Sequence, residues 1–226
     1  MQVSVIRYRE RLLRGLETLF SSATVLDVGC GDGSVWILDL FSSISSHTVG
    51  VDIRKSKRWG EEHHKNVDFI VADAKFLPFR NGAFSIAFTK DMLHHVERFH
   101  KALRELDRVS TDFILIIEAN RVNPISYFHM VKLLGHEHLT RKAFFECLKT
   151  SFFSRMILVT SREAHIFPTY NSMTLNELFE FIEDFFEAVP VFRRFLSYNL
   201  ALTIKNKGQH PSPKMLRSWR TLDKAA

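Results

Sequence analysis

Three acids and a cluster of glycines sit where a nucleotide-type ligand would need them. The stretch Asp27-Val28-Gly29-Cys30-Gly31-Asp32-Gly33 follows a short apolar run, and three of the chain's nine glycines fall in it. Glycine permits a tight turn and lets a ligand approach the backbone. A helix opening after such a turn offers free N–H groups and a positive dipole end, which suits a nucleotide or an amino-acid carboxylate. Asp52 lies about 20 residues further on, where a carboxylate can accept both hydroxyls of a ribose. Asp73, followed by Ala74, ends a third apolar run. A carboxylate there can accept an adenine amino hydrogen while a backbone N–H meets a ring nitrogen. Thr89, Lys90 and Asp91 end a fourth run, with His94 and His95 just beyond. Singly, each feature is a plain turn, a cap or a surface charge. Together, three successive runs ending in Asp, the first entering a glycine turn, call for a ligand.

Other nucleotide chemistries fit less well. A phosphate-binding loop for nucleoside triphosphates needs G-x-x-x-x-G-K-[ST], and no Lys follows this turn. A dinucleotide fingerprint needs G-x-G-x-x-G/A, but Ser34 holds the third position. No Tyr has a Lys four residues on, so the short-chain dehydrogenase couple is missing. The pattern D-x-G-x-G-x-G remains. No metal site is expected: His63-His64 and His136-x-His138 lack the i, i+4 spacing of a helical zinc pair, and no C-x2-C exists. Cys30 and Cys147 are too few for a disulfide framework, and a reducing cytoplasm is the simpler setting.

These residues need a scaffold, and the apolar periodicity supplies one. Residues 3–20 predict an amphipathic helix with Leu12, Leu16, Leu19 and Phe20 on one face. Strands are expected at 24–28, 48–53, 67–73, 84–89 and 112–120, with helices over 34–42 and 99–109. The run 112–120 is apolar on both faces, as in a parallel sheet covered on both sides. Beyond Asn120 a helix is expected from Thr140 to about residue 152, strands at 155–161 and 195–204, and a helix from Thr174, where Thr174 and Glu177 form a capping box. Leu175, Leu178, Phe179, Ile182, Phe185, Phe186 and Val189 trace its apolar stripe. Alternating strands and helices argue for an open α/β sheet, whose ligands bind at the carboxyl ends of the strands.

Size and charge set the outer limits. The chain has 226 residues, 46% apolar and 25% charged, enough for one domain with a large core. No apolar run approaches the ~20 residues that cross a bilayer, and no secretory leader is expected at the N-terminus. Most of the net +6 sits at the end, where Lys205, Lys207, Lys214, Arg217, Arg220 and Lys224 face one acid, Asp223. Residues 1–204 are therefore taken as one domain and 205–226 as a basic, flexible tail. A nearly neutral body supports a nucleic-acid partner only weakly.

The sequence resembles the class I S-adenosylmethionine-dependent methyltransferases, specifically the type 11 group, which includes quinone C-methyltransferases. The resemblance rests on VLDVGCGDG (25–33), VGVDI (49–53), DAKFLPFRNGAFSIAFTKDMLHHV (73–96), FHKALRELDRV (99–109), FILIIEAN (113–120) and HEHLTRKAFFECLK (136–149). It implies a Rossmann-like, seven-stranded, mostly parallel sheet with helices on both faces. Phe84-Ser85 departs from the family's Phe-Asp, a position that resembles a structural polar anchor.

The resemblance further implies that Asp27, Gly29, Gly31 and Gly33 cradle the methionine part of S-adenosylmethionine, with Asp32 nearby. Asp52 would hold the ribose, Ile53 would pack on adenine, Asp73 and Ala74 would read its edge, and Thr89 and Lys90 would offer backbone contacts. His95 and His94 are the candidate general bases, with Glu118 and His138 behind them. The acceptor expected is a small, hydrophobic or aromatic molecule, beneath a lid drawn from 121–138 and 162–194. The alternative is an RNA or protein acceptor, with the basic tail as docking arm.

Overall fold

Six consecutive buried residues end the strand Ser110–Glu118, a pattern possible only where helices cover both sheet faces. The computed structural model describes residues 16–33, 40–60, 65–123, 139–152, 156–163 and 197–205, together with Leu13, Trp36, Tyr127, Lys132, Leu178, Phe181, Ile182, Phe185, Val189, Arg220 and Thr221. Strands are β1 (Thr24–Val28), β2 (His47–Asp52), β3 (Val67–Val71), β4 (Phe84–Lys90), β5 (Ser110–Glu118), β6 (Met156–Glu163), β7 (Ser197–Ile204) and β8 (Arg220–Thr221). Helices are α1 (Glu17–Phe20), α2 (Ser42–Ile44), α3 (His100–Val109) and α4 (Arg141–Ser151).

The sheet runs β3-β2-β1-β4-β5-β7-β6-β8. The first five strands in that order are parallel, and β7, β6 and β8 join antiparallel. Seven strands stand where the apolar runs predict. The eighth, Arg220–Thr221, pairs with Leu158 and Val159 of β6, so the basic tail is held to the sheet at that point. Strand order reverses between β1 and β4, and a crevice opens there at the carboxyl ends.

Two cores flank the sheet. On one face Leu26, Leu103, Leu106, Ile114, Ile116, Phe144 and Leu148 pack together. On the other Leu13, Leu16, Phe20, Phe41, Phe88, Leu115 and Leu202 do so. Each such side chain contributes about 1.5–3 kcal/mol by leaving water. Helix α3 buries Ala102, Leu103, Leu106 and Val109 at helical spacing. Helix α4 starts where Thr140 Oγ1 accepts the Ala143 N–H at 3.2 Å.

Two contacts set the loops that reach the crevice. Arg108 on α3 donates to the carbonyls of Leu77 and Phe79, and Glu105 accepts the Leu77 N–H, which fixes the stretch after Asp73. Ser85, the departure noted above, bonds Thr24 across the β1–β4 pair: its N–H donates to Thr24 Oγ1 at 2.8 Å and the two hydroxyls lie 3.1 Å apart. A hydroxyl pair thus serves as the polar anchor there.

Candidate active site

The glycine turn is built by backbone that only glycine adopts freely. Gly29, Gly31 and Gly33 all have positive φ, between 59° and 81°. The N–H groups of Gly29 and Cys30 both donate to Val51 O, at 2.8 and 3.1 Å, which ties the turn to β2. Asp52 Oδ2 accepts the Gly31 N–H at 2.9 Å and Oδ1 accepts the Arg54 N–H at 3.0 Å. The Asp52 carboxylate keeps further lone pairs for two hydroxyls.

A cleft of about 770 Å³ opens against this turn, bordered by Gly29, Asp52, Ile53, Asp73, Ala74 and His95, with Arg54, Lys75, Asp91, Met92 and Glu97 completing much of the wall. Ile53 is 66% exposed there, an apolar side chain with no cover of its own. Asp73 turns the chain: its Oδ1 accepts the Lys75 N–H at 2.9 Å. Asp27 lies just behind, 2% exposed, and its Oδ2 has no hydrogen-bond partner among the described residues. Burial, then the nearby Asp52 charge, push its carboxyl up to about 8, against the opposing pull of Lys90. Burial also raises the Cys30 thiol well above its usual range, so it is no nucleophile.

The far wall is the loop after β4. Asp91 adopts a left-handed conformation, φ 50°, held by Ala119 N–H on its Oδ1 at 3.0 Å. Lys90 pairs with Asp91, and Tyr198 donates its hydroxyl to Asp91 Oδ2 at 3.2 Å. Burial works to raise the Asp91 carboxyl, but Lys90, His94 and the Ala119 N–H together hold it below its ordinary value. Glu118, fully buried at the end of β5, accepts the Leu93 N–H and lies against His94 Nδ1, each at 2.7 Å. Burial pushes the Glu118 carboxyl up, while the His94 hydrogen bond favours its charged form.

Asp91, His94 and Glu118 thus meet in one cluster with metal-ligating types. Their oxygens are already bonded to Lys90, Tyr198, His94 and two backbone N–H groups, which makes the cluster an anchor for the loop. Glu118→Ala is expected to lower stability by ~3–5 kcal/mol, since it strands a buried imidazole and an N–H. Urea unfolding measures this. A loss below about 1 kcal/mol would show that the pair does not anchor the loop.

Gly29, Asp52, Ile53, Asp73, Ala74 and His95 meet at one cleft. Asp27, Gly31 and Gly33 lie at or behind the turn. Two others stand apart from that lining. Thr89 is fully buried within the β4–β5 pairing, opposite Ile116, and does not border the cleft; Asp91 and Met92 do. His94 is turned inward to Glu118, so its neighbour His95 alone of the two faces the cleft. His138 and most of 121–138 and 162–194 lie outside the described residues. Missed by sequence reasoning are Met92, which sits beneath Gly29, and Trp59, which donates its indole N–H to Gly31 O at 2.9 Å. An aromatic directly after Arg54-Lys55-Ser56-Lys57-Arg58 is the one signal for the latter.

A parallel sheet with this strand order, a glycine turn at its switch point and an acid at each of the next two strand ends define a class I S-adenosylmethionine-dependent methyltransferase fold. Residues 26–112 match the methyltransferase domain family. Over 89 residues it is 36% identical to an uncharacterized protein of Methanocaldococcus jannaschii, a stretch covering 39% of this chain and 33% of that one. Over 94 residues it is 30% identical to a demethylmenaquinone methyltransferase of Lactococcus lactis, covering 38% and 37%. The matched stretch therefore spans about a third of the length of these curated relatives. Among solved structures, a chain from a complex between a Haloferax volcanii methyltransferase activator and a methyltransferase superposes with a TM-score of 0.64 at 13% identity, over 88% of this chain and 91% of that one. That likeness is one of fold. No helix among the described residues is long and apolar enough to cross a membrane.

Proposed function

We propose that the chain transfers the methyl group of S-adenosylmethionine to a small, hydrophobic or aromatic acceptor. The observation that carries this is the cleft at the carboxyl ends of adjacent parallel strands, where Gly29, Asp52, Ile53, Asp73 and Ala74 converge. These residues fit the cofactor. Exposed Ile53 offers an apolar surface for a base, Asp52 and Asp73 offer acceptors, and the unpartnered Asp27 oxygen awaits a cationic or donating group. When bound, S-adenosylmethionine supplies a sulfonium methyl whose carrier departs as a neutral thioether.

The chain's own part is positioning. Holding two reactants in line is worth ~7–11 kcal/mol of a displacement barrier. A proton needs a base only if the acceptor must lose one, and His95 borders the cleft for that task. His94 and Glu118 hold the loop that carries it.

A small acceptor is favoured over RNA or protein by the tail. Arg220 and Thr221 pair with β6, which shortens any docking arm. Leu178, Phe181 and Phe185, exposed on the 162–194 segment, suit an apolar acceptor. The Lactococcus lactis relative is named for a small acceptor, demethylmenaquinone. Both cysteines are free, in keeping with a cytoplasmic setting.

Calorimetric titration with S-adenosylmethionine and S-adenosylhomocysteine tests the reading. Micromolar binding is expected, weakened ~10–100-fold by Asp52→Ala, which removes an acceptor for two hydroxyls. NADH should not bind. A folded sample that binds neither sulfur ligand would sink the assignment.

A further inference from the structure

Beyond Asp52 the chain doubles back over the glycine turn. The Arg54 N–H is held by Asp52, the Arg58 N–H donates to Ser56 Oγ at 3.3 Å, and Lys57–Gly60 forms a short helical turn. That turn delivers two side chains. Trp59 Nε1–H donates to Gly31 O at 2.9 Å, and Arg58 Nη1 lies 3.3 Å from Asp32 Oδ2. The Trp59 ring is itself stacked on Phe69 of β3, centroids 5.0 Å apart and planes 11° from parallel.

Gly31 has open space around its Cα. Its φ is +59°, and a Cβ built on it would meet nothing within 4 Å. Yet both peptide groups beside it are held: Asp52 takes its N–H and Trp59 donates to its carbonyl. Fixing one residue's backbone costs about 1–2 kcal/mol, a cost met before any ligand arrives if the turn is already set. The Arg58–Asp32 pair is exposed on both sides and adds little by itself. The indole N–H is therefore the working contact.

We infer that Trp59 is a positioning residue for the cofactor: its indole N–H pre-sets the glycine turn, with Phe69 holding the ring in place. This rests on the cofactor reading above. It concerns neither the cleft wall nor the core, since Trp59 does not border the cleft among its described lining.

Trp59→Phe keeps a ring on Phe69 and deletes the donor, while Trp59→Leu deletes both. Three readouts are taken on each: calorimetric affinity for S-adenosylhomocysteine, amide hydrogen exchange of residues 29–33 without ligand, and the thermal midpoint. Trp59→Phe is expected to weaken binding ~5–10-fold and to speed exchange in the turn, with the midpoint unchanged. In wild type the ligand should shift tryptophan emission, and that shift should vanish in Trp59→Phe while Trp36 and Trp219 remain. Equal exchange and equal affinity in wild type and Trp59→Phe would overturn the inference while leaving the cofactor reading intact. A fall in midpoint that accounts for the lost affinity would also overturn it, as a merely structural effect. Wild type that fails to bind would overturn both.

Discussion

Alanine at position 29 is expected to abolish binding of S-adenosylhomocysteine and to lower stability by ~2–4 kcal/mol. Two costs add. Gly29 has φ +81°, which an L side chain adopts only under strain. A Cβ there would also lie 2.4 Å from Met92 Cγ and 2.6 Å from Met92 Cβ. The methionine tip could swing aside, but its Cβ cannot move without its backbone. That backbone is pinned on either side, through Asp91 to the Ala119 N–H and through the Leu93 N–H to Glu118. Gly29 must instead retreat, pulling its N–H off Val51 O and displacing the cleft wall. Gly31→Ala is the control: the added carbon meets nothing, so only the backbone strain of ~1–2 kcal/mol remains. Thermal melts and calorimetry on both variants give the comparison. Equal losses at the two positions would show that the Met92 contact has no consequence.

Binding of the cationic cofactor is expected to release a proton and to strengthen with pH up to about 8. Asp27 is the source. Its carboxyl is raised by burial and by Asp52 to about 8, so it is largely neutral at pH 7 in the free protein. A cation beside the unpartnered oxygen favours the carboxylate and draws the proton off. Affinity should then rise about tenfold per pH unit below that value and level off above it. Titrations in buffers of different ionisation enthalpy count the proton directly. Folding follows the same linkage with a definite sign. Between the ordinary carboxyl value of 3.8 and about 8 the folded chain binds the extra proton, so this group makes stability fall as pH rises across that window. Asp27→Asn should therefore be the more stable protein at pH 7, by ~2–5 kcal/mol, with the advantage fading toward pH 4. Affinity that is flat from pH 6 to 8, with no proton released, would rule out this coupling.

Much of this site is legible in the sequence because it is built from strand ends. A buried strand announces itself by an apolar run, and an acid near its end stands out against that run. Asp27, Asp52 and Asp73 are found by reading to the end of each run, and the glycines between Asp27 and Ser34 are local to one turn. The same logic places β1, β2, β3, β4, β5, β6 and β7 close to their observed spans. Helix ends follow from short-range hydrogen bonds such as Thr140 to the Ala143 N–H.

The features that sequence leaves open involve partners far apart in the chain. His94 and His95 are adjacent, and nothing local says which faces the ligand; Glu118, on another strand, draws His94 inward and leaves His95 at the cleft. Thr89 ends an apolar run as the acids do, yet the β4–β5 pairing extends past it, so it is buried and Asp91 takes the wall. Trp59 reaches Gly31 across 28 residues, and Ser85 reaches Thr24 across 61. In the stripe expected from Thr174, Leu178 and Phe185 are more than half exposed. Periodicity records that a side chain is apolar and which way it points along its own element. It holds no information on which distant surface, if any, comes to meet it.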